Sequence, residues 1–336
     1  MTQRLKWGVL GVAKIATDKV IPAMQRGERT SVVAIGSRDR AKAERAAAEL
    51  GIARAHGSYD DVLNDRDVDA VYIPLPNHMH LEWATRAAEA GKHVLCEKPI
   101  GMDASEAAEL LAVRDRTGVK IQEAFMVRTH PQWTTAKALV DSGDLGELRA
   151  MTGVFSYFND DATNIRNLLE CGGGALMDIG CYFVMTSRFI FGREPVRAIA
   201  SMEIDPEFGT DRLTSMVIDY GGPTFAGTCA TQMSPSQRIQ IAGTKGRMEI
   251  EIPFNAPQNE PAWFTVEGRK GVVERLDTQR CDQYTIQGDR FAAAVLDGTD
   301  VVYPLEESVG NMRVIDALFE SVRSSGWVDL GRQVGK

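Results

Sequence analysis

The sequence has no surplus of positive charge, no cysteine pairing pattern, few histidines and no long apolar run. Each lack removes a class of function. Lys and Arg number 38 against 46 Asp and Glu, for a formal net charge of -8. A sequence-independent grip on nucleic acid draws on a surplus of cations, so it is not expected. A phosphorylated small molecule needs few local cations and stays open. No apolar run reaches the ~18 residues of a membrane span. The opening Met1-Thr2-Gln3-Arg4-Leu5-Lys6 runs straight into a strand-like segment, leaving no room for a signal peptide. The five cysteines (Cys96, Cys171, Cys181, Cys229, Cys281) are odd in number and show no Cys-x-x-Cys spacing. Buried free thiols in a reducing compartment, and hence a cytoplasmic location, are the expectation. The five histidines do not pair with carboxylates at ligand spacing, so no metal is implied. Nothing resembles a Ser-His-Asp arrangement, a Walker loop, an internal repeat or a low-complexity linker.

What is present is room for two domains in 336 residues. The first ~120 residues alternate short apolar runs with longer helical patterns, the signature of a doubly wound parallel sheet. Strands are expected at Trp7 to Gly11, Val32 to Gly36, Ala55 to Tyr59, Asp69 to Ile73, His93 to Cys96 and Ile121 to Phe125. Helical patterns include Val20 to Arg26, Arg40 to Leu50, Leu81 to Ala90 (with Gly91 as its stop) and Ser105 to Thr117. From about Met151 the texture changes to alternating apolar and polar residues: Met151 to Tyr157, Arg197 to Glu203, Ser215 to Tyr220, Thr224 to Gln232, Arg238 to Ala242 and Met248 to Ile252. That is the pattern of a large, mostly antiparallel open sheet with one exposed face. A last amphipathic helix spans Glu306 to Ser324. The fold class is therefore α/β: an N-terminal Rossmann domain over residues 1–125 and a C-terminal α+β domain over 126–336.

The turn after the first strand reads Gly11-Val12-Ala13-Lys14-Ile15-Ala16. Gly11, Ala13 and Ala16 stand at the three positions of G-x-G-x-x-G. Gly11 supplies the tight turn, Ala13 is a small departure where backbone must approach a pyrophosphate, and Ala16 suffices for close helix packing. Backbone N–H groups over Gly11, Ala13, Lys14 and Ile15 would then face the pyrophosphate. At the end of the second strand an NAD site places an acid for the ribose hydroxyls. Here Ser37 and Arg38 occupy that place, and a guanidinium suits a 2′-phosphate. NADP is therefore favoured over NAD, with two alternatives open: Arg38 as a solvated helix-start residue, and Asp39 as either a helix cap or a displaced NAD acid.

Two further strand ends point to the same sheet edge, Pro74-Leu75-Pro76-Asn77-His78-Met79-His80 and Cys96-Glu97-Lys98-Pro99. Pro76, Asn77 and His80 could line the nicotinamide pocket. A satisfied helix-start histidine is an equal reading of His80. A Glu-Lys pair is ordinarily a solvated surface pair. Glu97 and Lys98 differ by following a buried strand directly and preceding a proline, which sets the lysine at the ligand edge as a candidate acid/base. In the later part, Asp178 and Tyr182 at i, i+4 share a face if the segment is helical, and Gly172-Gly173-Gly174 permits a sharp entry. Asp178 as an N-cap and Tyr182 as a core aromatic are the competing readings.

These pieces together resemble the oxidoreductase family of glucose-fructose oxidoreductase, inositol dehydrogenase and their relatives. The resemblance is carried by the Gly11-x-Ala13-x-x-Ala16 turn, Pro76-Asn77-x-x-His80, Gly91-Lys92-His93-Val94-Leu95-Cys96-Glu97-Lys98-Pro99 and Glu123 to Pro131. It continues through Asn164-Ile165-Arg166-Asn167 and Gly172 to Tyr182. Tyr182, where the wider family has His, together with Gly243-Thr244-Lys245-Gly246 and Pro253-Phe254, resembles the branch of dimeric dihydrodiol dehydrogenase and NADP-dependent D-xylose dehydrogenase.

The resemblance implies hydride transfer between a nicotinamide and a hydroxyl-bearing carbon of a sugar, polyol or cyclic diol. It implies Lys98 on the reacting oxygen, Tyr182 sharing the proton transfer and Asp178 orienting substrate and lysine. Arg128, His130 and Arg166 are further candidates for substrate contact, each equally readable as a structural partner. A cofactor-binding regulator without turnover, or a sugar-to-sugar oxidoreductase with tightly held NADP, is the alternative. No membrane partner is expected. A homodimer or dimer of dimers through the C-terminal sheet is.

Overall fold

Residues 3–268 and 270–331 are described by the structure, a computed structural model. They fall into two units, Met1–Thr129 with Cys281–Val309 and His130–Arg280 with Gly310–Lys336. In the first, β1 (Leu5–Leu10) is buried at every position but Lys6, as a strand covered on both faces must be. It is joined by β2 (Thr30–Gly36), β3 (Arg54–His56), β4 (Ala70–Ile73), β5 (His93–Cys96) and β6 (Ile121–Glu123). All pair in parallel, in the order β3-β2-β1-β4-β5-β6. The strand order reverses between β1 and β4, and open α/β sheets bind ligands outside the carboxyl ends of strands at such a switch point. The crossovers carry α1 (Ile21–Arg26), α2 (Arg40–Leu50), α3 (Tyr59–Leu63), α4 (His80–Glu89) and α5 (Ala104–Thr117). Asp39, Ser58 and Asp103 cap α2, α3 and α5 by accepting the N–H of Lys42, Asp61 and Glu106.

The second unit opens with α6 (Pro131–Asp141), β7 (Leu148–Phe158) and α7 (Cys181–Phe191). Next come β8 (Arg197–Ile204), β9 (Asp211–Asp219), β10 (Thr224–Ala230), β11 (Gln232–Gly243), β12 (Gly246–Ile250), β13 (Trp263–Gly268) and β14 (Val273–Asp277). With β15 (Val328–Asp329) they form one sheet ordered β14-β13-β12-β11-β7-β10-β9-β8-β15. Its pairs are antiparallel except β7 with β10. The run expected as one strand from Thr224 to Gln232 divides at Thr231, where β10 ends and β11 begins. By length and composition, residues 169–191 could cross a membrane, yet 83% of their most apolar window is buried. This is a core helix: Phe183 packs on Phe225 and Phe191 on Tyr220, with ring centroids 5.1 and 4.7 Å apart. In β9, Thr214, Met216 and Ile218 are buried while Leu213, Ser215 and Val217 on the other face are half-buried. That second face carries a shallow concavity of about 590 Å³, lined in part by Ile199, Ser201, Ser215, Val217, Ala226 and Thr228.

The segment after β14 departs from the expectation that everything after residue 125 belongs to one domain. The helix α8 (Gln283–Leu296), which local patterning does not separate, belongs to the first unit. Phe291 packs on Trp7 with centroids 5.3 Å apart. Asp289 accepts the backbone N–H of Glu28 and of Arg29, and Thr285 donates to the Ala23 carbonyl. The Rossmann core is closed by a segment roughly 150 residues downstream of its last strand, a long-range contact to which local periodicity is blind. The last helix, α9 (Leu305–Ser324), begins one residue earlier than expected.

Candidate active site

The first unit contributes three strand ends. After β1, Gly11 adopts φ +114° and donates its N–H to the Gly36 carbonyl at 2.8 Å. A Cβ there would lie 3.1 Å from Leu75 Cδ2, so both conformation and space call for glycine. The turn continues through Val12, Ala13, exposed Lys14 and Ile15 to the fully buried Ala16, and Thr17 returns its N–H to the Ala13 carbonyl. First-turn N–H groups of a helix lack intrahelical acceptors, and an anion is the natural occupant of such a turn. The residues at the fingerprint positions thus fit a dinucleotide pyrophosphate.

At the end of β2, Ser37 is nearly buried and its Oγ accepts the Asp39 N–H at 3.1 Å. The Asp39 carboxylate in turn accepts the Lys42 N–H at 3.1 Å as the α2 cap. Arg38 between them is exposed and forms no ion pair among the described residues. A guanidinium so placed fits a 2′-phosphate.

The third strand end carries Lys98. Glu97 donates its N–H to Ile73 at 3.0 Å and accepts the Tyr72 hydroxyl on Oε1 at 2.6 Å. The Lys98–Pro99 peptide is cis. Ile100 donates its N–H to Glu123 Oε1 at 2.9 Å. Tyr72 is not singled out by sequence, and Glu123 enters there only as the first residue of the run that carries the family resemblance. A tyrosine inside an otherwise apolar buried strand was the available signal, because its hydroxyl must find a partner. Burial, then the Glu97 charge, pushes the Tyr72 phenol far up, so it remains a donor.

His80 is corrected from a pocket-lining residue to an internal one. It is 0% exposed, with Nδ1 2.7 Å from the Pro99 carbonyl oxygen and Nε2 2.8 Å from that of Leu75. Burial pushes its pKa down to about 4 against the pull of the two carbonyls. Pro76 and Asn77 are partly exposed at the start of the short turn Asn77–Met79. Arg128 lies over the Tyr303 ring, 5.4 Å from its centroid, a cation–π contact.

In the second unit, Asp178 sits in a π-turn, Leu176–Gly180, that runs into α7. The i, i+4 spacing to Tyr182 therefore crosses a π-to-α junction rather than one regular helix. Tyr157 and Arg166 both donate to Asp178 Oδ2, at 2.6 and 3.0 Å. The Asp178 side chain is 13% exposed. Tyr182 is 6% exposed and packs against Phe155 and Phe254, with centroids 6.0 and 5.1 Å away.

The N-cap reading of Asp178 is overturned. The buried Asp211 of β9 takes the capping place, accepting the Leu176 N–H at 2.8 Å and the Thr214 hydroxyl at 2.5 Å. Gly174, at φ +113°, is obligatory here, since a Cβ would meet Asp211 Oδ1 at 2.0 Å. Of the two readings of His130, the structural one fits its surroundings: it is 1% exposed and its Nδ1 accepts the Gln132 N–H as a cap at the start of α6. Burial lowers its pKa to about 4. Among the described residues no cluster of three His, Cys, Asp or Glu side chains is arranged to hold a metal.

Residues 5–125 match the profile of the oxidoreductase family with an NAD-binding Rossmann fold, and residues 133–249 match the GFO/IDH/MocA C-terminal domain. An uncharacterised oxidoreductase of Rhizobium meliloti is 44% identical, over 96% of this chain and 98% of that one. The D-xylose 1-dehydrogenase (NADP(+)) 2 of Haloferax volcanii is 39% identical over 97% of this chain and 100% of its own. A 3-ketoreductase of Actinomadura kijaniata, crystallised with NADP and TDP-benzene, superposes with a TM-score of 0.89 at 30% identity, covering 95% of this chain and 98% of that one. Crystal structures of that ketoreductase also exist with one lysine replaced by alanine and one tyrosine by phenylalanine. Those two positions are as far apart in its chain as Lys98 and Tyr182 are here.

Proposed function

The chain belongs to the Gfo/Idh/MocA family of oxidoreductases, and on that premise we propose that it is an NADP-dependent dehydrogenase or reductase acting on a CH–OH carbon of a sugar or cyclic diol. The carrying observation is the matched separation of the lysine and tyrosine altered in the ketoreductase, set beside the anchored turn that holds Lys98. When bound, the nicotinamide accepts a hydride from the alcohol carbon or returns one to a carbonyl. The Gly11 to Ile15 turn holds the pyrophosphate with backbone N–H groups. Arg38 and Ser37 take the 2′-phosphate, a reading supported by the commitment of Asp39 to the α2 cap. Glu97, Pro76 and Asn77 border the nicotinamide.

Oxidation also releases the hydroxyl proton, and Lys98 with Tyr182 takes it; in reduction the same pair returns it. Asp178, fixed by Tyr157 and Arg166, orients the substrate. Arg128 and Arg166 border the sugar. Reduced and oxidised NADP, each offered with a panel of aldoses, ketoses, cyclic diols and nucleotide-linked keto sugars, test the reading through nicotinamide absorbance. Turnover with a member of the panel is expected. Tight NADPH binding with no absorbance change across the panel would replace the enzyme by a cofactor-binding regulator. Bound cofactor that cycles between two sugars without exchanging would mark a sugar-to-sugar oxidoreductase.

A further inference from the structure

Within the run from Pro76 to His80, the side chain of His80 alone is fully enclosed, and its two ring nitrogens reach two different loops. Nδ1 lies 2.7 Å from the carbonyl oxygen of Pro99, the residue bonded to Lys98. Nε2 lies 2.8 Å from that of Leu75, at the base of the loop carrying Pro76 and Asn77. The rest of the Lys98 turn is anchored elsewhere: Glu97 on Tyr72 and the Ile100 N–H on Glu123. The ring is thus a side-chain tie between the lysine turn and the Pro76–Asn77 loop.

We propose that His80 is a positioning residue that sets where the Lys98 amine stands relative to the Pro76–Asn77 loop. The inference rests on Lys98 as the proton-transferring residue. Desolvation, against the pull of the two carbonyls, holds the ring's pKa down at about 4. Both nitrogens stand at hydrogen-bond distance from a carbonyl oxygen, and each N–H that the ring carries ties one of the two loops to it. A carbonyl buried without a donor is costly to leave in place. Removing the donor therefore frees the Pro99 side of the turn to shift, and a small misplacement of an acid/base group is enough to slow turnover severely.

The test compares His80→Phe, which keeps ring volume and removes both donors, with His80→Gln, which restores one. Three quantities are followed: steady-state constants, NADPH affinity by fluorescence, and the rate at which an amine-reactive ester acylates Lys98, normalised to exposed Lys42 in the same digest. His80→Phe is expected to change the normalised Lys98 rate at least about threefold. It should lower kcat by about tenfold or more and leave KM and NADPH affinity within about twofold. His80→Gln should recover part of both losses. A folded His80→Phe protein with wild-type Lys98 labelling and wild-type kcat would overturn the proposal. If His80→Phe does not fold, wild-type values in His80→Gln for labelling with a tenfold lower kcat, or for kcat with altered labelling, would equally overturn it. Absence of turnover in the wild type would sink the enzymatic reading alone, since the labelling comparison still decides the positioning.

Discussion

Tyr157 donates its hydroxyl to Oδ2 of Asp178 at 2.6 Å, on the same oxygen that receives Nε of Arg166. Two donors from separate segments, β7 and the turn Ile165–Asn167, thereby fix one carboxylate. Burial, then the charge of Asp178, pushes the Tyr157 phenol far above its ordinary range, so it stays protonated and acts as a permanent donor. A carboxylate held by two donors keeps one orientation.

Tyr157→Phe removes that donor and little volume. A hydrogen bond to a charged group is worth roughly 1.5–3 kcal/mol, so kcat/KM should fall by about tenfold or more on a sugar or diol substrate. NADPH affinity, read by fluorescence titration, should be unchanged. A variant with wild-type kcat/KM would remove Tyr157 from substrate positioning.

Lys98→Ala should cut turnover by roughly a hundredfold or more, the scale of general acid/base catalysis, while NADPH binding persists. Parallel kcat and binding measurements on the one purified variant decide it. Near-normal turnover would take Lys98 out of the mechanism and leave the dinucleotide fold intact.

The Rossmann sheet was legible because each strand is a short apolar run followed by a helical pattern, and Gly11, Lys98 and Asp39 stand at strand ends that sequence marks by neighbouring Pro, Gly and cap chemistry. The second sheet was legible from period-two alternation, as in β9. Two things were hidden. Asp211 lies 37 residues after Gly174 and its capping role exists only in the fold, so Asp178 was open to being read as the cap. The two carbonyls that enclose His80 belong to Leu75 and Pro99, and a backbone acceptor leaves no mark on residue type. The return of α8 to the first unit was missed for the same reason, as a tertiary contact between distant segments.

Arg38→Ala should weaken NADPH by about tenfold or more, the worth of a charge-assisted contact to a phosphate, and leave NADH nearly unaffected. Fluorescence titration with both nucleotides measures the ratio. An equal loss for both would assign Arg38 to something other than the 2′-phosphate, and Asp39 would return as the ribose partner.

The half-buried face of the second sheet, with Val217, Ile199 and Ala226 around its concavity, is the surface on which we propose that two copies pair, since an apolar patch of this kind ordinarily marks an interface. Light scattering at micromolar concentration should give a dimer or a dimer of dimers, and Val217→Glu should shift it toward monomer. A monomeric wild type would end the proposal.

Stability should respond to pH in two opposed ways over one window. Burial, against its hydrogen bonds from Thr214 and Leu176, raises Asp211 from 3.8 to about 6. Between those values the folded chain binds more protons than the unfolded one, so this contribution is present at low pH and lost as pH rises. Burial lowers His80 and His130 from 6.5 to about 4. Their contribution is complete above 6.5 and lost as pH falls toward 4. Two histidines against one carboxyl leave a net gain in stability from pH 4 to 6.5. Asp211→Asn deletes the opposing component, so its stability relative to the wild type should climb by roughly 2 kcal/mol between pH 4 and 6. Urea denaturation at a series of pH values, with hydrogen exchange followed in residues 174–182, reads the difference. Parallel profiles for the two proteins would mean that Asp211 keeps its ordinary pKa in the folded chain, its hydrogen bonds offsetting its burial.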